Sequence, residues 1–290
     1  MTRIVSALSE IASDYDALFV DLWGCVHDGV KAYPEAVAAL QEYRKGGGTV
    51  VLLTNSPRTR HEVEKQLKVF GAPEDCWDTI ATSGDSARSA MFQGTVGHKV
   101  YFIGTEAEQH FFEPLNILEN PESVEIFPIE EAEGIVCTGP FDPMADLSVL
   151  RPQLLLGKTN GLKLLCANPD IVVDRGEVRE WCAGAVAQLY TEMGGESLYF
   201  GKPHPPIYDL ARLRLAATGA DVPPSRVLAI GDGIRTDILG ALGEGIDSLF
   251  ITGGLAAEET RTTDQPDPEA LEAYITEQEL TPTFAIGKLR

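Results

Sequence analysis

The chain has 290 residues, with 23 Lys and Arg against 44 Asp and Glu, giving a formal net charge of −21. That length is enough for two domains of roughly 150 residues each, and 44% apolar with 23% charged residues is globular composition, not an acidic disordered tail. So much negative charge repels phosphate backbones and anionic lipid surfaces, which argues against nucleic acid or membrane as a partner.

A phosphorylated small molecule would meet the same repulsion unless a bound divalent cation offset it locally. The five cysteines (Cys25, Cys76, Cys137, Cys166, Cys182) are scattered, odd in number and free of CxxC spacing, which points away from a disulfide framework or a zinc site and toward a reducing compartment. The N-terminal segment is too polar for a signal peptide, and no stretch reaches the about 18 apolar residues of a membrane span. A soluble, cytoplasmic protein is expected.

In chain order, Ala17-Leu18-Phe19-Val20 is a short apolar strand signal that stops at Asp21. Pro34 opens a helical pattern (Ala36, Val37, Leu40, Tyr43) that ends at Gly46-Gly47-Gly48. Thr49 to Leu53 is a second strand, ending at Thr54-Asn55, and Val63, Leu67 and Phe70 mark the next helix. Strand signals return at Val100 to Ile103, Gly134 to Cys137 and Leu162 to Cys166, and a helical pattern runs through Val186, Leu189 and Tyr190.

Near the C-terminus, Leu198-Tyr199-Phe200 leads to Gly201-Lys202-Pro203, followed by a helix carrying Ile207, Leu210, Leu213 and Leu215. Arg226 to Ile230 then runs into Gly231-Asp232-Gly233, a helix is expected over about 236–242, and Ile246 to Ile251 is the next strand. Residues 258–270 read as a loop with a short helix after it. Continuous apolar strands alternating with amphipathic helices predict an α/β fold, with a parallel sheet covered on both faces in three α/β/α layers. The segment 83–199 is too long for a loop and is expected to be an α/β domain inserted into a core made of 1–82 and 200–290.

Four polar positions stand just past strand ends: Asp21, Thr54, Lys202 and Asp232. Ligands of open α/β sheets bind at that edge. Two carboxylates suit Mg²⁺, an ammonium and a hydroxyl can hold phosphoryl oxygens, and a carboxylate can serve as nucleophile to form an aspartyl-phosphate. Each residue alone has a plainer reading, since Asp caps helices and Thr54-Asn55-Ser56-Pro57 makes a good turn. Together they fit phosphoryl transfer. Gly231-Asp232-Gly233 is not a dinucleotide fingerprint, because its third glycine is missing.

Phe19-Val20-Asp21-Leu22-Trp23-Gly24, Leu53-Thr54-Asn55-Ser56, Gly201-Lys202-Pro203 and Gly231-Asp232-Gly233-Ile234-Arg235-Thr236-Asp237-Ile238 resemble the four motifs of the haloacid dehalogenase superfamily. Their order, and the insertion between the second and third, resemble its class IIA branch, whose members include nucleotide and sugar phosphatases. Cys166-Ala167-Asn168-Pro169-Asp170 and Ala183-Gly184-Ala185 add to the likeness.

The resemblance implies a Rossmann-like core with an inserted α/β cap. It makes Asp21 the nucleophile and a Mg²⁺ ligand, with the Trp23 backbone carbonyl and Asp232 as the other protein ligands. Thr54 and Lys202 would bind the phosphoryl group, Asp237 would hold Lys202 or metal-bound water, and Asn55 would support the site. Asn168 and Asp170 of the cap would bind near the leaving group of a small phosphorylated metabolite. A cap surface could also pair two copies of the chain, though no stripe in the sequence demands it.

One position departs from the pattern. The superfamily's phosphatases carry an aspartate two residues after the nucleophile, which protonates the leaving group; here it is Trp23. Indole N–H is a donor without useful acidity, and losing general acid–base catalysis costs about 10²–10⁴ in rate. His27 and Asp28 lie a few residues on and could supply a proton by another route. The expectation is a slow Mg²⁺-dependent phosphatase. The alternatives are a non-catalytic binder of a phosphorylated ligand and a carbon–halogen hydrolase, the second disfavoured by Asp232 and the large insertion.

Overall fold

A computed structural model describes residues 2–114, 121–175 and 178–290. In chain order the strands are β1 (Arg3–Ile4), β2 (Ala17–Val20), β3 (Thr49–Thr54), β4 (Thr79–Thr82), β5 (Lys99–Ile103), β6 (Glu125–Ile126), β7 (Gly134–Cys137) and β8 (Lys163–Cys166). They continue with β9 (Val172–Arg175), β10 (Val178–Trp181), β11 (Glu196–Tyr199), β12 (Val227–Gly231), β13 (Asp247–Ile251) and β14 (Phe284–Ile286). The helices are α1 (Pro34–Lys45), α2 (Arg60–Phe70), α3 (Ser83–Met91), α4 (Arg151–Thr159), α5 (Ala183–Glu192), α6 (Pro205–Ala217), α7 (Leu239–Glu244) and α8 (Pro268–Gln278). None of the described helices is long and apolar enough to cross a membrane.

The residues form two compact units. The first comprises 1–54, 61–81 and 202–290, and the second 55–60 and 82–201. In the first unit seven strands lie in the order β1-β14-β13-β12-β2-β3-β4. Strand β2 lies inside the sheet, between β12 and β3, and all four of its residues are buried, as expected for a strand covered on both faces. Its parallel neighbours β12 and β3 pair Val20 with Ile230 and with Leu52. Side chains alternate across the sheet: Leu18, Val20, Leu52 and Ile230 pack into one apolar layer, and Phe19, Val51, Leu53 and Ala229 into the other. This register brings the residues following β2, β3 and β12 to one edge.

The second unit is built on a five-stranded sheet, β11-β8-β7-β5-β6, whose pairs are all parallel. An antiparallel hairpin of β9 and β10 pairs Val172 with Trp181; β10 is mostly exposed and its sequence VREW carries no alternating strand signal. Residues 55–60 pack in this unit because Gly84 lets the chain approach α3: a Cβ on Gly84 would stand 2.0 Å from the Pro57 carbonyl oxygen.

Most sequence-derived boundaries hold to within a residue or two. The helix expected over 236–242 begins earlier, with a π-helical turn over Ile234–Ile238 that passes into α7. The strand expected at Leu198 to Phe200 is shifted to Glu196–Tyr199. Residues 258–267 are turns and loop, and α8 follows.

Candidate active site

Asp21 follows β2 directly and its backbone N–H donates to the Ile230 carbonyl at 2.8 Å, which continues the strand pairing into the loop. Thr54 ends β3 and is buried. Lys202 lies ahead of α6, whose first residues are Pro205-Pro206, and is also buried. Asp232 follows β12.

The π-helical turn after Gly233 sets Asp237. Its N–H and that of Ile238 both donate to the Gly233 carbonyl, at 2.8 and 3.2 Å, and the Gly233 N–H donates to Asp237 Oδ2 at 3.0 Å. Turns of this kind recur at functional sites. The Asp237 side chain consequently folds back over Gly231, where an added Cβ would meet Asp237 Cγ at 2.1 Å. Asp232 is enclosed in the same way, because a Cβ on Gly24 or on Gly254 would stand 2.1 Å from its Oδ2.

Lys202 Nζ donates to Asp21 Oδ1 at 2.5 Å and to Asp237 Oδ1 at 2.6 Å. Burial alone would lower the affinity of this amine for its proton, but the Asp21 and Asp237 charges outweigh it and hold the ammonium well above its ordinary pKa. Burial raises the Asp237 carboxyl, and Lys202 pulls it only part of the way back.

Asp232 is pushed well above the carboxylate range by burial and then by the charges of Asp21 and Asp237. Its hydrogen-bond donor is the Leu255 N–H at 3.1 Å, and among the described residues no cationic side chain bonds to it. Three buried carboxylates thus share one ammonium. A divalent cation fits this imbalance, since carboxylate oxygens of Asp21 and Asp232 lie within 4.8 Å of each other.

The same 4.8 Å cluster contains Cys25 Sγ, which sequence reading missed because a buried cysteine in an apolar run looks like any small core residue.

Trp23 folds back on its own loop. Its indole stacks edge-on against His27, with ring centroids 5.6 Å apart, and lies against Gly29, where an added Cβ would sit 2.3 Å from the ring. Gly29 has φ +84°, so the site admits only glycine comfortably. His27 is buried, packs on Phe70 and accepts the Gly29 N–H at Nδ1 at 3.0 Å, so its ring is neutral with the proton on Nε2; burial lowers its pKa to about 4. Asp28 accepts the Val30 and Lys31 N–H groups and forms a turn. Both of the residues considered as substitute proton donors are committed to loop structure.

In the second unit, Asn55 Nδ2 donates to Asp170 Oδ1 at 2.8 Å, and Asn168 Oδ1 accepts the Asp170 N–H at 3.0 Å. The turn at Pro169 sits against the start of α5, where a Cβ on Gly184 would be 2.1 Å from the Pro169 carbonyl oxygen. A Cβ on Gly201 would collide with Pro169, Asn55 and Ser83. The motif residues Asn55, Asn168, Asp170, Gly184 and Gly201 therefore form one packed group within that unit.

A family model for haloacid dehalogenase-like hydrolases matches residues 18–117, and an HAD-hydrolase-like model matches 199–277. The crystal structure of a haloacid dehalogenase-like family hydrolase from Brucella suis 1330 is 36% identical, with TM-score 0.83, over 99% of this chain and 100% of that one. This chain belongs to the haloacid dehalogenase-like hydrolase family. It is also similar to 5′-nucleotidase YutF of Bacillus subtilis (strain 168), at 25% identity over 88% of this chain and 93% of the relative. The structure of glycerol phosphate phosphatase from Mycobacterium tuberculosis in complex with magnesium shares the fold, with TM-score 0.64 and 23% identity over 84% of this chain and 70% of that one.

Proposed function

We propose that the protein is a Mg²⁺-dependent phosphatase of small phosphorylated metabolites that works through an aspartyl-phosphate on Asp21. The observation that carries this reading is the Lys202 ammonium gripped by Asp21 and Asp237, beside an Asp232 to which no cationic side chain bonds among the described residues. Activity on phosphate esters in the nucleotidase and glycerol phosphate phosphatase relatives supports it.

In this mechanism Lys202 fixes the plane of the Asp21 carboxylate and, with the Thr54 hydroxyl, neutralises charge on the phosphoryl oxygens. Asp237 keeps Lys202 in place. An Asp21 oxygen attacks phosphorus, the bond to the leaving oxygen breaks, and its electron pair departs with the alkoxide or phenolate, which takes its proton from water. Water then attacks the acyl phosphate, releasing phosphate and restoring Asp21. Asp21, Asp232 and the Trp23 carbonyl would hold the cation, which when bound polarises the phosphoryl group and screens it from the acidic pocket.

Trp23 supplies no proton, so esters with poor leaving groups turn over slowly, at a cost of about 10²–10⁴ in rate. Residues 83–199 are the proposed substrate-selecting cap, with Asn168 and Asp170 as its candidate specificity residues. The test is hydrolysis of an aryl phosphate with Mg²⁺ and with EDTA, in wild type and Asp21→Asn. Activity that needs Mg²⁺ and vanishes in the variant is expected; metal-independent activity that survives Asp21→Asn would overturn the proposal.

A further inference from the structure

Cys25 stands four residues after the proposed nucleophile, at the bend made by Gly24 (φ +75°) and closed by Val26 N–H bonding the Leu22 carbonyl at 2.8 Å. It is 1% exposed and packs among Leu22, Val26 and other apolar residues. A valine would fill such a place. What cysteine adds is a sulfur whose atom lies within 4.8 Å of carboxylate oxygens of both Asp21 and Asp232.

Two of the other buried thiols have hydrogen-bond partners that Cys25 lacks. Cys137 donates to the Gly139 carbonyl and Cys166 to the Asn168 carbonyl, whereas Cys25 has no hydrogen-bond partner among the described residues. It is a fully buried, unpartnered donor atom facing two acids.

We propose that Asp21, Asp232 and Cys25 form a site for a thiophilic divalent cation of the zinc and cadmium class, sharing its two carboxylates with the proposed Mg²⁺ site. Thiolate is a soft ligand that Mg²⁺ does not favour, while Zn²⁺ and Cd²⁺ accept mixed sulfur and oxygen donors. Donors around a tetrahedral Zn²⁺, at about 2.3 Å for sulfur and 2.0–2.2 Å for oxygen, stand roughly 3.3–3.7 Å apart. The 4.8 Å limit on the cluster leaves at most about 1.5 Å to close when an ion binds. On binding, the S–H proton leaves to solvent as the sulfur–metal bond forms. The ion then occupies the Asp21 carboxylate, so it competes with Mg²⁺ and withdraws the nucleophile. This rests on Asp21 and Asp232 being cation ligands, as proposed above.

The test is a Cd²⁺ titration of the chelator-treated full chain, followed by the ultraviolet thiolate-to-cadmium charge-transfer band, alongside Mg²⁺ binding by calorimetry. Wild type should give a band saturating at one Cd²⁺ per chain and suppressed by excess Mg²⁺. Cys25→Ser and Cys25→Val, which keep the other four cysteines, should lose the band and bind Cd²⁺ on the order of 10–100-fold more weakly. The second variant suits the apolar surroundings should the serine fold poorly. No band in a wild-type protein that binds Mg²⁺, a band that persists in both variants, or one that Mg²⁺ does not displace would each overturn this inference. Mg²⁺ binding unchanged by both Asp21→Asn and Asp232→Asn would instead overturn the Mg²⁺ reading.

Discussion

Lys202 and Asp237 are joined by a 2.6 Å hydrogen bond, and the same ammonium reaches Asp21 at 2.5 Å. One cation therefore holds both the proposed nucleophile and the residue on the π-helical turn. Lys202→Met should leave three carboxylates with no ammonium among them. The expected outcome is a fall in kcat on an aryl phosphate of about 10²–10³. A decrease of less than tenfold would show that Lys202 is not stabilising the transferring group.

Gly231 is expected to be as sensitive as the acids it serves, because its Cβ would overlap Asp237 Cγ at 2.1 Å. Gly231→Ala should move Asp237 off Lys202, lower kcat, and cost about 1–3 kcal/mol of stability through overpacking. Urea unfolding and aryl phosphate kinetics measure the two effects. A fully active, fully stable variant would contradict the packing described.

The leaving-group argument can be tested at Trp23. Trp23→Asp should raise turnover of alkyl phosphates more than of aryl phosphates, since only the former need a proton on departure. The indole's packing on His27 and Gly29 makes some loss of stability expected, so the readout is the ratio of the two kcat values. An unchanged ratio would remove the case for a missing acid.

His27 gives a pH signature. Its native pKa is about 4, below the ordinary 6.5, because the ring is buried. Between those values the unfolded chain binds the proton more readily, so this contribution to stability is complete above pH 6.5 and is lost as pH falls toward 4. In urea unfolding at pH 7 and pH 4.5, the stability gap between wild type and His27→Leu should shrink by roughly 2–3 kcal/mol at the lower pH. A constant gap would mean that His27 titrates normally in the folded protein.

Much of this architecture is legible in the sequence, for a physical reason. Strands such as Ala17–Val20 and Thr49–Thr54 are buried on both faces, so they read as unbroken apolar runs, and Asp21 and Asp232 stand out where the runs stop. What stayed hidden depends on partners distant in sequence. The two-residue strand Arg3–Ile4 exists only because it pairs with Phe284 and Ala285. Cys25 is apolar by context, and only the fold shows two carboxylates beside it. Trp23 was visible as an odd residue, but its packing on Gly29 follows from a loop conformation that no periodicity records.

The central claim is that Asp21 carries the phosphoryl group during turnover. Acid quench of the Mg²⁺-loaded protein in mid-turnover of an aryl phosphate, followed by borohydride trapping and peptide mass mapping, tests it at a single residue. The expected result is modification confined to the peptide at position 21 and absent from Asp21→Asn. Steady phosphate release with that peptide unmodified would contradict it.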